Sequence, residues 1–109
     1  MTIILAGDFW VADIPFTDGS GSKKRPVLVL WLDGLDAVVA AVTSASPRSR
    51  TDVRLQEWQK EGLRNPSVVR LSRLDCLEQT LFLAKLGTIT KSDATKIKSV
   101  WSRHVKPQF

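Results

Sequence analysis

Arg25 stands directly before Pro26 and the apolar run Val27-Leu28-Val29-Leu30, with Lys23 and Lys24 just upstream and the Gly/Ser stretch Gly19–Ser22 before them. A guanidinium at the start of a rigid strand can grip a phosphate through two hydrogen bonds and stabilise charge that builds in a transition state. Pro26 biases the backbone of Arg25 towards the extended region, which limits where its side chain can point. Asp33-Gly34 is a tight-turn signal, so the strand that follows Arg25 is expected to fold back on a partner ending at Thr43. Counted outward from that turn, Arg25 and Thr43 lie eight and nine residues away, roughly opposite each other. Taken one at a time, Arg25 reads equally well as a surface cation, and Thr43 as an ordinary strand-end residue. Lys23 and Lys24 are suited to gathering backbone phosphates, which carries no base information, and Arg48 and Arg50 offer further cations in a second loop.

Other chemistries are closed by composition. His104 and Cys76 are the only residues of their types, so the usual zinc sites and any intrachain disulfide are excluded. No phosphate loop or dinucleotide fingerprint occurs. The two-histidine route to RNA cleavage is closed as well, because His104 stands alone near the end of an expected helix. Cys76 reads as a small buried apolar side chain as readily as a functional thiol. Trp10 and Trp31 could stack on bases, although a tryptophan within a β pattern more often belongs to a core or a dimer interface. Trp58 and Trp101 read as packing residues.

The elements that must position these groups are short. Phe9–Ile14 is rich in residues that favour a pleated surface, and Pro15 closes it. Thr17–Ser22 is a loop, and Arg25–Leu32 a strand whose continuous apolar run predicts burial on both faces. Ala37–Thr43 is its hairpin partner, Ser44–Thr51 a second loop and Asp52–Leu55 a short strand. Leu55–Leu63 is either a helical turn ended by Gly62 or irregular chain around a buried Trp58. Ser67–Leu71 is β-like, Leu74–Leu81 is ambiguous, and Phe82–Thr88 is a last strand. Thr90 can cap a C-terminal helix, with Asp93 three residues on as in a capping box and Pro107 as its stop. Five or more short strands with one terminal helix predict a mostly β fold, a small barrel.

The chain has 109 residues, enough for one domain with a real core and too few for two. Its 16 Lys and Arg against 11 Asp and Glu give a formal charge of +5, an argument for a polyanionic partner. Met1–Ala6 lacks a basic leader and is too short for a membrane span, and with the single cysteine this predicts a soluble, cytoplasmic protein.

Gly7-Asp8-Phe9-Trp10-Val11-Ala12-Asp13, Thr17-Asp18-Gly19-Ser20, Arg25-Pro26-Val27-Leu28-Val29-Leu30 and Ala40-Ala41-Val42-Thr43-Ser44 together resemble the PemK/MazF toxins of bacterial type II toxin–antitoxin modules. Gly62-Leu63, Pro66–Leu71, Leu86-Gly87 and the final helix extend the resemblance from Gly7 to about His104. It implies an SH3-like barrel in a single toxin domain, a homodimer, and a sequence-specific endoribonuclease that needs no metal or cofactor and is inhibited by a cognate antitoxin protein. In the family, the Arg of the Arg-Pro strand start and the Thr ending the next strand are the catalytic pair, which here are Arg25 and Thr43. The RNA-binding set implied beside them is Ser20, Lys23, Lys24, Ser44, Arg48 and Arg50. The implied reaction on single-stranded RNA is attack of the 2′-hydroxyl on the adjacent phosphorus. The chain departs from the pattern where a relative carries a His–Asp acid–base pair: those positions are Ser20 and Ser72 here, so that version of the machinery is missing. Two alternatives from outside this reaction are a non-catalytic SH3-like module that binds nucleic acid or peptide, and a gyrase-directed toxin, which would leave the Arg25–Thr43 pair without a purpose.

Overall fold

A computed structural model describes residues 3–109; Met1 and Thr2, the start of the apolar Met1–Ala6 stretch, lie outside the described residues. The chain forms β1 (Asp8–Pro15), β2 (Ser22–Asp33), β3 (Asp36–Thr43), β4 (Asp52–Arg54), β5 (Val68–Glu78), β6 (Phe82–Thr88) and α1 (Lys91–His104). The strands make one antiparallel sheet in the order β4-β5-β3-β2-β1-β6. The mostly β architecture with a terminal helix is therefore as expected. The ladder does not close: β4 and β6 are the two ends of the sheet and do not pair.

Other structure occupies that gap. Beyond β4, residues 57–63 wind into a single helical turn in which the Leu63 N–H donates to Trp58 O at 3.0 Å and the Gly62 N–H to Gln59 O at 3.1 Å. These two bonds define a Schellman C-cap, with Gly62 at φ +88. The turn lies so close to β6 that a Cβ on Gly62 would overlap the Leu86 carbonyl, and one on Gly87 would overlap the Glu61 carbonyl. Of the two readings of this segment the helical turn ended by Gly62 is the one found, and Trp58 is half-buried against the core. The seam is sealed by backbone packing, with α1 laid across it: Lys96 Nζ donates to Arg54 O at 2.7 Å, satisfying a carbonyl of the three-residue edge strand.

β2 is buried on both faces at its centre, where Val27, Leu28 and Val29 are 0%, 2% and 1% exposed. Alternation then divides the core. Leu28, Ala40, Val42, Val69 and Leu71 pack towards α1, while Val27, Val29, Val39 and Trp10 pack on the other face. Each buried valine or leucine among them contributes on the order of 1.5–3 kcal/mol of transfer free energy.

The hairpin between β2 and β3 turns through Gly34-Leu35, with Gly34 at φ +61, the sign that a II′ turn requires at its first central residue. Leu30 is a bulge: the register passes from Val29↔Val39 to Trp31↔Val38. That extra residue in β2 offsets the unequal lengths of the two arms. Carrying the Val27↔Ala41 register two residues further sets Arg25 opposite Thr43.

β5 runs further than Ser67–Leu71 and absorbs most of the ambiguous Leu74–Leu81 segment, which ends in a short 3-10 turn at Gln79–Leu81. Cys76 lies on it and is exposed, which corrects the buried reading. Among the described residues, no helix is long and apolar enough to cross a membrane.

Candidate active site

The concave face of β2, β3 and β5 forms the floor of a cleft of about 860 Å³. Alternation along β2 sends Lys23, Arg25 and Val27 to this face and Lys24 to the opposite one. On β3 it selects Val39, Ala41 and Thr43. The ladder between β3 and β5 then adds Arg70, opposite Ala41, and Asp75, opposite Val39. Ala41 presents only a methyl group, so the floor between the flanking cations is apolar there.

Arg25 is exposed and, among the described residues, forms no ion pair. Its charge is therefore free for an anion. The oxygen of Thr43 is committed: Oγ1 accepts the Ala45 N–H at 3.1 Å. This local bond fixes the hydroxyl and leaves its proton free to donate into the cleft.

The loop residues are held by carboxylates. Arg48 lines the cleft, and its backbone N–H donates to Asp52 Oδ2 at 2.8 Å. The other oxygen of Asp52 faces Arg70 Nε at 3.9 Å, too far for a hydrogen bond, and both atoms are buried without one. Ser20 also lines the cleft. Its N–H donates to Asp18 Oδ1 at 2.9 Å, and the Ser20 hydroxyl and N–H hold that carboxyl below its usual range.

Of the residues singled out from sequence, Ser20, Lys23, Arg25, Thr43 and Arg48 are thus brought to one cleft. Lys24, Ser44 and Arg50 are not among its lining residues. Trp10 is 5% exposed in the core, with its indole N–H directed to Asp8 Oδ2 at 3.3 Å. Trp31 lines a separate groove of about 700 Å³ beside α1, edge-on to Trp101 at 6.0 Å. His104 lies in the last turn of α1. Cys76 Sγ faces Asp36 at 3.9 Å, and desolvation together with the carboxylates of Asp36, Asp33 and Asp75 pushes the thiol up, away from reactivity.

Arg70 and Arg73 also line the cleft and were not anticipated. The local signal for Arg70 was a cation ending the apolar pair Val68-Val69. Its facing depends on a ladder that joins β3 to β5 across the intervening loops and β4. Arg73 depends on a bulge: the register jumps from Ala41↔Arg70 to Ala40↔Leu74, leaving Leu71, Ser72 and Arg73 unpaired.

A family model matches most of the chain. It describes the PemK-like, MazF-like toxins of type II toxin–antitoxin systems and covers residues 5–103. The chain belongs to this family. No protein of curated function matches it. Solved structures share the fold at low identity. An endoribonuclease from a Mycobacterial species is 17% identical with a TM-score of 0.74, the match covering 100% of this chain and 97% of that one. An endoribonuclease in complex with its cognate antitoxin, also Mycobacterial, is 18% identical with a TM-score of 0.74 over 98% of this chain and 100% of that one. MazF from Deinococcus radiodurans is 16% identical with a TM-score of 0.69 over 96% and 97% of the two chains. The likeness thus spans the family domain from end to end.

Proposed function

We propose that this toxin-family chain is a cytoplasmic endoribonuclease that cuts single-stranded RNA, messenger RNA in particular, at specific sequences and without a metal ion. It acts as a single domain in a homodimer, and its sheet, sealed by packing along the seam, is of the SH3-like barrel type. What supports this reading is that an exposed Arg25 on β2 and the oriented hydroxyl of Thr43 on the adjoining β3 line one cleft.

In the reaction, the 2′-oxygen of one ribose forms a bond to the adjacent phosphorus and loses its proton. The bond from phosphorus to the 5′-oxygen of the next nucleotide breaks, and that oxygen leaves as a 5′-hydroxyl. The upstream fragment keeps a 2′,3′-cyclic phosphate. Arg25 binds the non-bridging oxygens and stabilises the extra negative charge of the phosphorane. Thr43 donates its O–H to the same phosphate and fixes it in line. Lys23 and Arg48 neutralise flanking phosphates. The cognate antitoxin inhibits by presenting an acidic, partly disordered segment to this basic cleft.

The test is a long RNA incubated with the purified chain in EDTA. Discrete fragments with 5′-hydroxyl ends are expected, and Arg25→Ala should lose them while unfolding like the wild type. RNA that is bound but left intact by the wild type would identify a binding module, and full activity in Arg25→Ala would overturn the assignment.

A further inference from the structure

Among the described residues, the cleft has one aromatic side chain in its lining, Phe16. It follows Pro15 at the end of β1 and is 44% exposed. It belongs to neither core cluster and is not packed against either one. Its backbone is clamped on both sides: the N–H donates to Gly21 O at 2.8 Å, and the carbonyl accepts the Gly19 N–H at 3.1 Å. The loop backs the ring, since a side chain at Gly21 would begin 3.9 Å from ring carbons Cδ2 and Cε2. Phe16 is therefore an exposed aromatic ring on a backbone held by two hydrogen bonds.

Its neighbours determine what such a surface would meet. β1 ends in the pairs Ile14↔Lys23 and Pro15↔Ser22, so Phe16 lies just past the Lys23 end of β2. That register sets Phe16 opposite Gly21, so Arg25 stands four residues up that strand, about 14 Å along it at ~3.4 Å per residue. An apolar ligand would be poorly served by a cleft lined with Lys23, Arg25, Arg48, Arg70 and Arg73. An alternation of anionic groups with flat π-faces would match both features, and single-stranded nucleic acid has that alternation.

We propose that Phe16 is the platform on which a base of the bound strand, on the Lys23 side of the scissile phosphate, stacks. This rests on the ribonuclease reading above and moves base stacking from Trp10 and Trp31, which face elsewhere, to the one ring in the cleft. Stacking tolerates any base, so Phe16 contributes affinity and holds the strand in register, while Arg25 and Thr43 act on the phosphate.

The test measures binding of a random-sequence RNA 12-mer carrying 2′-O-methyl groups, which has no nucleophile and cannot be cut. Phe16→Leu keeps the apolar bulk and removes the π-face; it should weaken binding at least about tenfold without changing the salt dependence, and Phe16→Trp should restore it. On the same backbone without bases, wild type and Phe16→Leu should bind alike. Equal affinity of wild type and Phe16→Leu for the 12-mer overturns the proposal, whether or not the variant grips a protein partner less well. An equal loss on the baseless backbone also overturns it. A wild type that binds neither oligonucleotide defeats the ribonuclease reading itself, whereas a wild type that binds and cuts RNA beside an unimpaired Phe16→Leu defeats only the stacking role.

Discussion

The cleft and the seam handle polar side chains in opposite ways. In the cleft, Arg25 and Lys23 are exposed on a strand and form no ion pair among the described residues. In the seam, Glu61 and Asp93 are both 0% exposed and work as staples. Asp93 accepts the Gln56 and Glu57 N–H groups, each at 3.0 Å. Glu61 Oε2 accepts the Thr90 N–H at 3.0 Å and its hydroxyl at 3.4 Å, while Oε1 is buried without a partner. Charge left free in water is available to a ligand. Charge buried against backbone N–H groups instead holds two segments together, and its cost appears as a shifted pKa. Burial, with the Asp93 carboxylate adding to it, pushes Glu61 up to about 7.

The largest expected effect tests the cleft. Arg25→Ala should lower the cleavage rate about 1,000-fold, the scale of losing one well-placed transition-state donor. Its unfolding free energy should stay within about 0.5 kcal/mol of the wild type, because an exposed, unpaired side chain contributes little to stability. Parallel RNA-cleavage and urea-unfolding measurements check both halves. A large loss of stability would mean that Arg25 belongs with the staples.

Gly62→Ala reverses the pattern. A Cβ at φ +88 that overlaps the Leu86 carbonyl forces the turn away from β6, at about 3 kcal/mol of stability. Cleavage per folded molecule should be retained, as read by activity well below the unfolding midpoint.

Glu61 gives the seam a pH dependence of defined sign. Its folded pKa of about 7 lies above the ordinary 4.5, so the folded state holds the proton more tightly. That stabilisation is complete below about pH 4.5 and is lost as the pH rises through 7. Glu61→Gln keeps an acceptor for Thr90 and supplies N–H donors in place of the missing proton. It should be more stable than the wild type at pH 8, by on the order of 1–3 kcal/mol, and nearly equal at pH 4.5. Urea titrations at the two pH values measure this, and an unchanged wild-type slope in the variant would place the titration elsewhere.

The smallest effect separates two adjacent lysines. Lys23→Gln should weaken RNA binding a few-fold and lower the log–log salt slope by about 1, whereas Lys24→Gln, on the other face of β2, should change neither. Equal effects would mean that the binding surface wraps around the strand edge.

Much of this arrangement was legible in local chemistry. The apolar run of β2 and the strand ending at Pro15 rest on interactions within a few residues, and each appears in the structure; the Asp33-Gly34 turn signal also does, shifted by one residue, since Asp33 pairs with Asp36 and the turn is Gly34-Leu35. The helix was legible for the same reason, though its cap holds a lesson. Thr90 Oγ1 accepts the Asp93 N–H at 3.4 Å as the capping box predicts. The return bond is made by Glu61, while Asp93 turns to Gln56 and Glu57. A residue 29 positions upstream took a role that spacing assigns to a neighbour. Cys76 was left open between a buried and a functional reading because an isolated thiol carries no local signal for which face of β5 it occupies.

By itself, then, the sequence determined most of the segments that extend, and that a guanidinium and a hydroxyl would lie on two neighbouring strands, although β2 begins at Ser22, three residues before Arg25. Those outcomes follow from dihedral preference and from alternation with a period of two. Only the tertiary structure decided that Arg70, Arg73 and Phe16 share the cleft with them, that Lys24, Ser44 and Arg50 do not line it, and that packing with buried carboxylates seals the open end of the sheet. These depend on registers between distant strands and on bulges that shift them. A single inserted residue turns side chains to the other face, and no short-range preference specifies where it falls.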